Sequence, residues 1–170
     1  LTCRSCESTC PSGVHYSRLL DIGRDVVEQK VLRRGSDAFM RGTLKNLLPR
    51  ATLFGVAMKL GQSVRLLLPR ALRAKVPPLS SAGPQPHRTH ARQMIALAGC
   101  VQPSMYPNIN GATRRVLDRL GIQMVEADGA GCCGAVRLHL NAAEASRDDA
   151  RRNIDAWWPL LEAGAECLVM

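Results

Sequence analysis

Apolar and polar positions alternate along the chain in two different ways. In the second half, Gln93–Ala98 is a short apolar run closed by Gly99, the pattern of a buried strand. Helical spacing follows from about Asn110 to Leu120, with Gly121 as its stop, and Ile122–Glu126 is a second strand. A strand–helix–strand run of this length is a βαβ unit, whose two strands are parallel neighbours. A further helix follows the glycine-flanked turn at residues 131–134, a last helix carries Trp157 and Trp158, and Cys167 falls in an apolar terminal strand. The two tryptophans are expected to anchor a core or a subunit interface. Cys167 is expected to be a small buried thiol.

The first half reads as three helices, roughly His15–Arg34, Asp37–Leu48 and Thr52–Leu68, punctuated by Gly35, Pro49 and Pro69. Leu44, Leu47, Leu48, Phe54, Met58 and Leu66 recur there among basic residues at helical spacing. Residues 77–92 hold four prolines and little apolar content, the composition of a semi-extended linker, with His87 and His90 expected to face solvent. The expected architecture is α/β. Residues 1–14 form a cysteine motif, 15–75 a basic helical region, 76–92 a linker and 93–170 a βαβ-type domain.

Charge sharpens this division. Residues 1–92 carry 16 Lys/Arg against 5 Asp/Glu, whereas residues 93–170 carry 7 against 9. Between Lys30 and Lys75 there are eleven basic residues and one acid, Asp37. Such helices suit an anionic membrane surface, an acidic partner subunit or simply solvent. Nucleic acid is not the expected partner, because there is no recognisable DNA-binding motif and aromatic residues make up only 4% of the chain. No apolar run reaches the roughly 18 residues of a membrane span. Metal-type cysteine clusters point to a reducing cytoplasm, and a basic surface adds the inner face of the cytoplasmic membrane as a docking place.

The candidate chemistry lies in seven cysteines. Cys3-x2-Cys6-x3-Cys10 followed by Pro11 is the tail of the ferredoxin-type run C-x2-C-x2-C-x3-C-P, which holds [4Fe–4S] clusters. By the logic of two-cluster ferredoxins, Cys3 and Cys6 serve one cluster and Cys10 its neighbour. The run lacks its first cysteine, three places before Cys3, so the chain is expected to be an internal piece of a longer protein. Zinc held by these cysteines with His15, or a disulfide, is the alternative. The second constellation is Cys100 and, after 31 intervening residues, Cys132 and Cys133 within Gly131–Gly134. The βαβ unit carries all three past the carboxyl ends of parallel strands, where open α/β sheets place their ligand crevices. A redox or metal role is preferred there over buried structural thiols. No His–carboxylate pair, nucleophile elbow or phosphate-cradling loop is recognisable, so no catalytic residue is expected.

The segments LTCRSCESTCPSGV (1–14), LLDIGRD (19–25), GCVQP (99–103), GCCGAV (131–136) and NIDAWWP (153–159) together resemble the iron–sulfur subunits of bacterial glycolate oxidase (glycolate dehydrogenase). The wider family shares cysteine-rich CCG domains with the heterodisulfide reductase B subunit and lactate-utilisation proteins. The resemblance implies that Cys3, Cys6, Cys10, Cys100, Cys132 and Cys133 bind cofactor, and that residues 93–170 are most of a first CCG domain. It also implies an electron-transfer role beside FAD-containing subunits that oxidise glycolate to glyoxylate, with electrons passing towards quinone. A heterodisulfide-reductase-like or lactate-utilisation subunit is the alternative within that chemistry. A zinc-bound interaction module with a basic docking surface is the alternative outside it.

Overall fold

The computed structural model describes residues 5–170, so Cys3 lies outside the described residues. The chain divides into two compact units, residues 1–41 and 42–170.

The first unit contains α1 (Ser5–Ser8), α2 (Tyr16–Lys30) and the start of α3 (Gly35–Asn46). The Glu7 carboxylate accepts from the Ser17 amide at 2.6 Å, which satisfies one free N–H in the first turn of α2. Glu28 accepts from both Arg33 (3.1 Å) and Arg41 (2.9 Å), and Arg33 also reaches Asp37. The expected helix over His15–Arg34 ends early, at Lys30, because Val31 turns to an extended conformation.

The second unit continues with α4 (Ala51–Ser63), a 3₁₀ turn at Arg65–Leu67 and α5 (Arg70–Arg73). The expected single helix over Thr52–Leu68 is therefore broken near Val64. Then come β1 (Arg92–Ala96), α6 (Gln102–Met105), α7 (Pro107–Arg119), β2 (Ile122–Val125), α8 (Ala135–His139), α9 (Ala143–Glu162) and β3 (Leu168–Val169). The three strands form a parallel sheet in the order β2-β1-β3, with Arg92 opposite Ile122 and Ile95 opposite Leu168. This is the α/β architecture expected. On β2, Ile122 and Met124 are buried and alternate with half-buried neighbours. On the central strand β1, consecutive Ile95 and Ala96 are both buried, as befits a parallel strand covered on both faces.

Two expectations are corrected. Cys167 is exposed, because it precedes the two-residue edge strand β3 and contributes its carbonyl, not its thiol, to the sheet by accepting from the Ile95 amide. His90 is not a solvent-facing linker residue. Its Nε2 lies 2.8 Å from Asp118 on α7, each side chain is 17% exposed, and its backbone N–H donates to the Gln123 side chain. The proline-rich segment is a strap laid along α7. Arg115 donates to the carbonyls of Ala82 and Pro84, and Arg114 donates to Gln85. Gly111 makes the close approach possible, since a Cβ there would stand 2.1 Å from the Ala82 carbonyl oxygen.

Candidate functional site

The sequence places Cys100 after β1 and the Cys132–Cys133 pair after β2, and these strands are parallel neighbours. The structure accordingly gathers the three cysteines beyond one edge of the sheet. Cys132 and Cys133 both lie near enough to the Cys100 thiol to act on it. Cys132 is 1% exposed, Cys100 is half-buried and Cys133 faces solvent. The Gly134 amide donates to the Cys132 sulfur at 3.4 Å, the kind of contact by which proteins tune sulfur ligands of iron.

Polar residues that the cysteine pattern did not signal hold both loops. Asn110 on α7 donates to the Ala98 carbonyl at 3.4 Å and accepts from the Gln102 side chain, so it ties together the segments on either side of Cys100. Asn153 on α9, 2% exposed, accepts from the Gly131 amide at 2.8 Å and donates to the Cys132 carbonyl at 2.9 Å. One turn earlier, Asp149 is 1% exposed and accepts from Arg137 at 2.7 Å and Arg152 at 3.0 Å. Gly134 packs against Ser146 of the same helix face. The only clue in the sequence is that Ser146, Asp149 and Asn153 recur at intervals of three and four on α9.

Burial, then the interaction of its S–H with Cys132 and the charge effect of Cys132 and Cys133, push the Cys100 pKa from the ordinary 9.0 up to about 12. With no metal bound, Cys100 is thus a neutral thiol at pH 8. Its thiolate fraction is lower than that of an unperturbed cysteine. Iodoacetamide should therefore alkylate the exposed Cys133 and Cys167 well before Cys100, as site-resolved mass spectrometry would show. The folded state retains the Cys100 proton above pH 9, where the unfolded chain releases it, so this contribution to stability is lost as pH rises from about 9 towards 12.

In the first unit, Cys6 is exposed and Cys10 is partly covered. Backbone hydrogen bonds from Val14 first, then Ser12, lower the Cys10 pKa, with Tyr16 and Gly13 adding to the effect. These N–H groups favour the thiolate of Cys10, the form that ligates metal.

Among the described residues, no three His, Cys, Asp or Glu side chains already form a set for a single metal ion. The donor chemistry nevertheless suits an iron–sulfur group. The donors are soft thiols, converging on one edge in the second unit and supported by backbone N–H groups at Cys10 and Cys132.

Residues 95–170 match the family described as "Cysteine-rich domain" (CCG). The chain is 52% identical over 170 residues to the "Glycolate oxidase iron-sulfur subunit" of Escherichia coli (strain K12), covering 99% of this chain and 42% of that protein. It is 27% identical over 183 residues to the "Probable glycolate oxidase iron-sulfur subunit" of Bacillus subtilis (strain 168), covering 92% of this chain and 41% of the relative. The chain thus spans about two fifths of the length of these curated relatives. No solved structure matches. Residues 95–170 thus resemble cysteine-rich CCG domains, and along nearly its whole length the chain is similar to glycolate oxidase iron–sulfur subunits.

Proposed function

We propose that this chain is an electron-transfer part of a glycolate oxidase (glycolate dehydrogenase) iron–sulfur subunit. The observation that carries the reading is the convergence of Cys100, Cys132 and Cys133 past the carboxyl ends of adjacent parallel strands. In this reading those three residues hold one iron–sulfur group, while Cys3, Cys6 and Cys10 are ligands of ferredoxin-type [4Fe–4S] clusters. Iron–sulfur clusters supply one-electron storage and transfer, whereas flavins accept electrons in pairs. A partner subunit oxidises glycolate to glyoxylate on FAD, and this chain carries the electrons onward singly towards quinone. What its own residues contribute is placement of the sulfurs and control of their protonation and hydrogen bonding.

Docking belongs to the same reading. From Ala38 to Leu117 the chain has twelve basic residues and no acidic one. On α4, Leu53, Val56 and Leu60 are exposed at helical spacing beside Lys59. Among the described residues no helix is long and apolar enough to cross a membrane. Peripheral attachment to an anionic membrane surface, or to an acidic face of the flavoprotein partner, fits that combination of charge and apolar stripe.

The test is anaerobic reconstitution of the full-length protein with iron and sulfide. Metal analysis and an EPR spectrum of the dithionite-reduced protein then provide the readout. The expected result is stoichiometric iron and sulfide with a reduced-cluster signal. Zinc in place of iron, or neither metal, overturns the reading.

A further inference from the structure

The loop that carries Cys132 and Cys133 has no regular secondary structure of its own from Glu126 to Gly134. A backbone stretch of this kind needs outside partners to hold one conformation. It finds them on one side chain. Asn153 accepts from the Gly131 N–H at 2.8 Å and donates to the Cys132 C=O at 2.9 Å. The loop thus offers one donor and one acceptor, and a carboxamide matches both. An ionised carboxylate would match only the donor, and an aliphatic side chain neither. Asn153 sits in the middle of the twenty-residue helix α9 and is 2% exposed, so it is both rigidly mounted and shielded from water.

We propose that Asn153 is the positioning residue of the cysteine-pair loop. It clamps the Gly131–Cys132 backbone so that the Cys132 thiol turns inward to Cys100 while Cys133 is presented outward. This rests on the proposed cluster role of Cys100, Cys132 and Cys133. Asn153 touches no reacting atom and acts only through the loop. The Gly134 amide bond to the Cys132 sulfur depends on the same placement, because both belong to the turn that Asn153 fixes.

Two variants test this in the full chain. Asn153→Leu keeps the size and removes both bonds, whereas Asn153→Asp keeps the acceptor for Gly131 and loses the donor for the Cys132 carbonyl. In the metal-free chain, site-resolved alkylation by iodoacetamide should be at least about tenfold faster at Cys132 in Asn153→Leu, the scale of two lost buried hydrogen bonds. Asn153→Asp, which sets an unpaired carboxylate against the Cys132 carbonyl one turn from buried Asp149, should accelerate Cys132 as well, with Cys10 and Cys167 at their wild-type rates in both. In the iron-loaded, dithionite-reduced chain, Asn153→Asp should retain iron and sulfide and show shifted EPR g values. An unchanged Cys132 rate overturns the proposal, as does equal acceleration at Cys10, Cys132 and Cys167, or wild-type g values in Asn153→Asp. Failure of the wild-type chain to take up iron and sulfide would count against the cluster reading alone, because the alkylation rates are measured without metal.

Discussion

Arg137→Met lowers the stability of the second unit by about 3–5 kcal/mol, the range for removing one partner from a buried ion pair. Asp149 is 1% exposed, so its carboxylate has almost no access to water. Arg137, 19% exposed, donates to it at 2.7 Å and also reaches the carbonyls of Ala145 and Lys45. Arg152 remains after the substitution at 3.0 Å, but it is 46% exposed and its charge is correspondingly screened. The lower half of the range is therefore expected. Met preserves much of the aliphatic bulk, so the loss reports the stranded carboxylate rather than a cavity. Adding Asp149→Leu to Arg137→Met should recover part of the loss, because no buried charge is then left unpaired. Both tryptophans of the chain lie on α9, the helix that carries Asp149, so urea unfolding followed by tryptophan fluorescence reads the relevant unit. A loss below about 1 kcal/mol would show that the pair behaves as a surface salt bridge.

The same helix shows where the sequence was informative and where it was silent. The βαβ unit could be read directly, since Gln93–Ala98 and Ile122–Glu126 are short apolar runs around an amphipathic helix closed by Gly121. From that topology the convergence of Cys100 with Cys132 and Cys133 followed without any knowledge of side-chain contacts. The supports of the site did not follow. Asp149 and Asn153 are polar residues on an amphipathic helix, and composition alone would turn them to solvent. Asn153 is buried because the cysteine loop is irregular backbone whose groups need partners from elsewhere, and Asp149 is buried where it pairs with Arg137 and Arg152. The proline-rich segment misled for a related reason. Its composition matches a free linker, but Gly111 opens a notch for the Ala82 carbonyl, and Asp118 captures His90 from 28 residues away. Neither contact leaves a periodic signal. Cys167 was misjudged because an apolar run at a sheet edge looks like one at its centre.

Gly134→Ala should cost more than an ordinary glycine substitution, and its neighbour Gly129 supplies the control. Both residues have positive φ, +79° at Gly134 and +87° at Gly129. Alanine at either position therefore bears about 1–2 kcal/mol of backbone strain. At Gly129 the added methyl has only the Ala156 Cβ nearby, at 4.0 Å, an ordinary contact. At Gly134 it would stand 2.8 Å from the Ser146 carbonyl oxygen, 2.9 Å from the Ser146 hydroxyl and 3.3 Å from the Asp149 Cβ. The hydroxyl can rotate away, but the carbonyl belongs to the backbone of α9 and moves only with the helix. Overpacking of that kind adds about 1–3 kcal/mol. Any retreat of the loop would also lengthen the contact from the Gly134 amide to the Cys132 sulfur and strain the Asn153 clamp. Gly134→Ala should thus lose more stability than Gly129→Ala in urea unfolding. It should also speed alkylation of Cys132 in the metal-free chain, which Gly129→Ala leaves unchanged. Equal losses at the two glycines would mean that α9 gives way at Ser146. The close approach of helix and cysteine loop would then place no constraint on where the sulfur sits.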